Sequence, residues 1–90
     1  DIFFHQHHSK NISALNNLSM SLAQAGKLDE AISLLSDLSN SEYSNPQVRQ
    51  NLALLYGLKG DFEASRRLAK EDLSPEQVTQ NLQAFRMLQE

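Results

Sequence analysis

Three histidines near the start of the chain, His5, His7 and His8, are the one grouping whose side chains suit a metal ion. His5 and His8, at i and i+3, would share a face of a helix, and neutral imidazole is a common ligand for zinc. A lasting site also needs hydrogen-bond partners that orient the rings, and no carboxylate stands between or beside these residues. The cluster therefore reads as the solvated end of an element, with a metal-dependent regulatory subunit as the alternative it leaves open. No metal and no cofactor are expected. The other reactive groups fare no better. Serine occurs eleven times, but none sits in a glycine-rich elbow with a histidine and an acid to activate it. Asp29-Glu30 and Glu71-Asp72 are adjacent pairs whose side chains diverge, so they read as helix-end or solvated surface rather than an acid–base couple. A glycine-rich phosphate loop is missing. Asn11-Ile12-Ser13 and Asn17-Leu18-Ser19 match the glycosylation triplet but fall on a helix expected to pack, which makes the match a chance one. The chain reads as a non-enzyme.

With catalysis set aside, composition narrows the rest. Ninety residues, 40% of them hydrophobic, supply one modest core. Eight Lys and Arg against eleven Asp and Glu leave a net charge of −3 with both signs scattered, so the basic stripe that a nucleic acid requires is missing. Cysteine is absent, which removes disulfides, thiolate zinc sites and cysteine nucleophiles together. No apolar run approaches the roughly 18 residues of a membrane span.

Helix-period spacing dominates the chain. Ile12, Leu15, Leu18 and Leu22 mark one apolar face of a helix that stops at Gly26. Leu28, Ala31, Ile32, Leu35 and Leu38 mark a second, with Asp29 and Glu30 in its first turn where the helix dipole favours acids. The polar stretch 39–45 is a loop. Asn45-Pro46 is an N-cap followed by proline at the first helical position, opening a third helix with Val48, Leu52 and Leu55 and a stop at Gly60. A fourth carries Phe62, Leu68 and Ala69. Ser74-Pro75-Glu76-Gln77 has the form of a capping box and opens a fifth helix with Val78, Leu82 and Phe85. The class is all-α.

A single offset relates Gly26 to Gly60, Asn17 to Asn51, Leu18 to Leu52 and Leu34 to Leu68. Ser19 with Ala53, Leu22 with Tyr56, Leu28 with Phe62 and Ala31 with Ser65 match in size at that offset. Small residues at 19, 31, 53 and 65 let paired helices approach closely, and the larger ones fill the space beside them. The offset, thirty-four positions, is the period of the tetratricopeptide repeat (TPR), which this pattern resembles. The resemblance implies an α–α superhelix: two degenerate hairpins over residues 10 to 73, a capping helix over 74 to 90, and residues 1 to 9 as the remnant of an upstream helix or a tail. The repeats are degenerate because the large aromatic expected early in the first helix is Leu15 in one and Arg49 in the other. Ile2, Phe3 and Phe4 are expected either to pack on the Ile12 helix or to pair with another copy as a weak homodimer.

More narrowly, the stretches 16–26 and 48–54, Gly60-Asp61-Phe62-Glu63-Ala64, and the tail from Leu68 to Glu76 resemble the C-terminal part of TadD-type proteins. These are TPR lipoproteins that assist assembly of the tight-adherence (Flp) pilus. That resemblance spans roughly residues 12 to 88. It implies a scaffold in the periplasm at the outer membrane, with a protein or peptide partner such as the pilus secretin; a cytoplasmic TPR adaptor is the alternative address. It also implies that first helices line a binding groove. The positions so assigned are Ser13, Asn16 and Met20, then Gln47, Gln50 and Leu54, then Gln77, Gln80 and Ala84 on the last helix, while Asn17, Asn51 and Asn81 are assigned to bracing the helix junctions. Such a groove is amide-rich and uncharged, suited to a peptide backbone rather than to a carboxylate.

Overall fold

Local signals fix several of the helix ends in the computed structural model; the structure describes residues 11–89. The helices are α1 (Ile12–Gln24), α2 (Leu28–Ser39), α3 (Pro46–Lys59), α4 (Phe62–Ala69) and α5 (Pro75–Gln89). Among the described residues there is no strand, so the all-α reading holds. His5, His7, His8 and the apolar trio Ile2-Phe3-Phe4 lie outside the described residues.

The two stops are the same device used twice. Gly26 and Gly60 have φ of 84° and 92°, left-handed values that a side chain would strain. At the first, Gly26 N–H donates to Ala23 O and Lys27 N–H to Leu22 O; at the second, Gly60 N–H donates to Gly57 O and Asp61 N–H to Tyr56 O. Both are Schellman closures, and they consume carbonyls that the helix ends would otherwise leave unpaired. The starts also follow the sequence. Asn45 Oδ1 accepts from Val48 N–H at 2.9 Å, and Asp61 Oδ1 accepts from Ala64 N–H at 3.2 Å. Ser74 and Gln77 form the reciprocal capping box, with Gln77 N–H donating to Ser74 Oγ and Ser74 N–H to Gln77 Oε1.

Packing proceeds as a chain of neighbours: α1 on α2, α2 on α3, α3 on α4, with α5 laid against both α3 and α4. One apolar cluster gathers Ala31, Ile32, Leu35 and Leu38 of α2 with Val48, Leu52 and Leu55 of α3. A second joins Ala53, Ala69 and Val78. Leu68 packs against both. The small residues sit at the close approaches: Ala31, Ser19, Ala53 and Ser65 are all buried, and Ser65 Oγ donates to Ala53 O at 2.7 Å across the α3–α4 pair.

One expectation on α1 is corrected. Leu18 is 49% exposed and does not belong to the inner face. At 100° per residue Leu18 stands roughly 60° around the helix from Leu15. The inner face runs instead through Ile12, Leu15, Asn16, Ser19, Leu22 and Ala23, buried or half-buried in register with α2.

α5 is placed by an absence of side chain. A Cβ at Gly57 would fall inside van der Waals contact of the Phe85 ring, which therefore lies directly on the α3 backbone. The far end of α5 is latched by Gln89 Nε2, which donates to Leu58 O at 2.9 Å, and by the Arg86 guanidinium, 5.6 Å from the centroid of the Phe62 ring.

Two substitutions follow from these contacts. Gly57→Ala should displace Phe85 and destabilise by about 1–3 kcal/mol, although alanine favours helix over glycine by about 1 kcal/mol. Ala31→Leu, at a site with no exposed surface, should cost about as much through overpacking. Urea denaturation midpoints of the two variants measure both effects; an unchanged midpoint for either would mean that the helices there have room to part.

Candidate functional site

Two of the sequence-assigned residues meet in a groove between α3 and α5. It encloses about 290 Å³ and is lined by Gln50, Asn51, Ala53 and Leu54 of α3, Ala69 and Leu73 from the end of the second hairpin, and Asn81 and Phe85 of α5. Amides stand on both walls, and Leu54, Leu73 and Phe85 supply an apolar floor. None of the lining side chains is charged. Its shape follows from the Gly57–Phe85 contact, which seats α5 close to α3 near their C-terminal ends, and from the longer turn, residues 70–74, that carries the chain across to start α5.

The assigned residues divide on this geometry. Gln50 and Leu54 are the two that meet in the groove. Gln80 lies instead on a separate shallow depression with Pro75, Glu76 and Thr79. Gln77 is exposed, but its side-chain carbonyl is already held by the capping box. Ser13 and Gln47 are exposed on the first turns of α1 and α3, and Ala84 is exposed on α5. Met20 is half-buried against the first cluster. Asn16 is only 6% exposed, its Oδ1 buried without a hydrogen-bond partner, as is Ser19 Oγ, so it presents no amide at a surface. The physical reason is the rotation that exposes Leu18: it turns Asn16 and Ser19 inward. Asn51 and Asn81, expected to brace the helix junctions, both line this groove between α3 and α5, and Asn17 is exposed on α1.

A structural contact that the sequence reading misses is the pair Arg49–Asp72, because that reading leaves Asp72 as solvated surface. The Asp72 carboxylate accepts from Arg49 Nε and Nη2, each at 2.8 Å, while Arg49 Nη1 donates to Ser44 Oγ at 3.1 Å. The planar fork matches the carboxylate in a two-point contact, the strongest form of side-chain ion pair. It ties the loop before α3 to the turn before α5, holding the N-terminal mouth of the groove. The signal available was an arginine where the period calls for an aromatic; its partner, beyond the end of α4, could not be read from spacing. The hydrogen bonds from Arg49 hold the Asp72 carboxyl below the ordinary carboxylate range, and the same bonds raise the Arg49 guanidinium.

Lys59 Nζ and Asp29 Oδ1 meet at 2.8 Å across the repeats, but both are exposed and contribute little. Among the described residues no group of three or more His, Asp or Glu side chains is placed to hold a metal ion. No helix of the described chain is long and apolar enough to cross a membrane.

Residues 12–38, the first hairpin, match the family model of the tetratricopeptide repeat. The match supports a TPR protein. No curated protein and no solved structure matches the chain. The groove between α3 and α5 lies outside the matched residues.

The pH dependence of stability follows from Asp72. Because its folded carboxyl titrates below the unfolded value of 3.8, its contribution is present in full above that value and is lost as pH falls through the folded one. Thermal melts between neutral pH and about pH 2 should show Asp72→Asn melting lower than the parent at neutral pH and losing less stability on acidification. Parallel acid limbs in the two proteins would mean that the pair contributes nothing.

Proposed function

We propose that this chain is a non-catalytic scaffold that holds a protein segment along the α3–α5 groove. The observation that carries this reading is the lining: Gln50, Asn51 and Asn81 stand over an apolar floor, with no charged side chain among them. Each amide offers two donors and an acceptor, enough to satisfy the main chain of an extended peptide without selecting its charge. Leu54, Leu73 and Phe85 would receive an apolar side chain of that peptide. A carboxylate or ammonium entering the groove would lose water without gaining a partner, which disfavours charged segments.

The address is part of the same proposal. The likeness of residues 12 to 88 to the C-terminal part of TadD-type pilus assembly lipoproteins supports a place in tight-adherence pilus assembly, in the periplasm at the outer membrane, with a secretin component as the partner. Capture of envelope proteins on the immobilised chain, followed by calorimetric titration of the captured partner at low and moderate salt, tests both site and address. Gln50→Ala should weaken binding by about 1 kcal/mol, or up to about 3 kcal/mol if a buried partner group loses its only bond, and leave folding intact. Affinity should hardly change with salt, since no exposed ion pair contributes. Arg66, exposed on α4 and paired with Glu63, lines no part of the groove. If Arg66→Ala weakens binding and Gln50→Ala does not, the partner docks elsewhere; if the captured partner is not a pilus component, the address fails while the groove stands.

A further inference from the structure

Of the four large apolar side chains exposed among the described residues, three gather in one place: Leu58 (39%) near the end of α3, and Met87 (73%) and Leu88 (69%) near the end of α5. A single exposed leucine is ordinary, whereas a contiguous group of apolar side chains calls for a partner. Helix register connects this group to the groove. Leu58 follows Asn51 by seven residues, and Leu88 follows Asn81 by the same seven. That interval is two turns to within about 20°, so each leucine stands on the same side of its helix as an asparagine of the groove lining, about 10 Å farther along the axis. Ala84, also exposed, stands between Asn81 and Leu88 on α5. Beneath these residues the two helices are held together by the Phe85 ring on Gly57 and by the Gln89 bond to Leu58 O at 2.9 Å. Walls that begin as amides therefore end as leucines.

The charges nearest this end are engaged elsewhere. Lys59 Nζ is bound to Asp29 Oδ1, and the Arg86 guanidinium lies over the Phe62 ring. The apolar group is too small to hold a second copy of the chain, since a stable interface takes roughly 20–30 residues a side. The rest of the outer face of α5, Glu76, Thr79 and Gln83, is polar and exposed. A segment already lying in the groove needs only a few side chains to cover it, and the spacing sets the pattern of that segment. Leu54 and Leu58 are one turn apart, about 6 Å along α3. Side chains i and i+2 on one face of an extended chain are roughly 6.7 Å apart. We infer, resting on the function proposed above, that the bound segment is extended and uncharged and carries apolar side chains at i and i+2. The first sits on Leu54, Leu73 and Phe85, and the second between Leu58 and Leu88. The residue between them points away from the floor and is free to vary.

NMR titration of the full chain with N-acetylated, C-amidated peptides tests the spacing. The probe is Ser-Leu-Ser-Leu-Ser, and the controls are Ser-Leu-Ser-Ser-Ser and the equally apolar Ser-Leu-Leu-Ser-Ser. The probe should bind roughly three- to tenfold more tightly than either control, the gain expected from partly burying one more leucine. Leu88→Gln, at an exposed position, should keep the melting midpoint and remove that advantage, with the affinity for Ser-Leu-Ser-Ser-Ser unchanged. Gln50→Ala should weaken all three peptides. If the three bind alike and Leu88→Gln changes nothing while Gln50→Ala weakens them, the groove stands and the i, i+2 pattern is overturned. If no peptide shifts the amide signals of Gln50, Asn51 and Asn81, the groove reading fails and takes the pattern with it. A dimer in sedimentation velocity that Leu88→Gln disperses would make the occupant a second copy and overturn the inference as well.

Discussion

Everything in this molecule depends on how closely paired helices approach at their crossings. Ala31 in the first hairpin and Ser65 in the second are fully buried, and Ser65 donates to a main-chain carbonyl of the opposite helix. Close crossing brings the flanking leucines of α2 and α3 into one cluster and sets how α3 and α5 diverge. The groove is the space left by that divergence. Its walls are polar because the residues there are not required for packing, and its floor is apolar because it is the edge of the core.

The sequence was most legible where a single residue type enforces a backbone state. Glycines one repeat period apart at left-handed φ, a proline after a capping asparagine, and a serine–glutamine capping box mark helix ends by local chemistry alone, and the stops of α1 and α3 and the starts of α3 and α5 fall where those signals put them. The apolar faces of α2, α3 and α5 were legible for a related reason, since several large residues on each agree on one direction.

Legibility failed where direction was set by a neighbour. On α1 the leucines are outvoted: small and polar residues, Asn16 and Ser19, occupy the inner face because α2 presents Ala31 there, and this turns Leu18 outward. The groove assignment inherited that error at Asn16 but kept Gln50 and Leu54, whose helix is held by α2, α4 and α5. Asn51 and Asn81 became groove residues because α5 leans on Gly57, a glycine inside a helix whose importance is invisible until the ring of Phe85 is seen against it. Arg49 and Asp72 belong to the same class: two residues far apart in the chain, meaningful only as a pair.

The two apolar clusters share one side chain. Leu68, near the end of the shortest helix, touches both the leucine-rich cluster between α2 and α3 and the smaller one beneath the groove. Repeat proteins are held together by nearest-neighbour interfaces rather than by a single central core, so such shared residues decide whether the array melts as one body or in parts. Leu68 is one such link and α3, with Leu52 in one cluster and Ala53 in the other, is the second, so opening of the groove end by itself would require both to loosen.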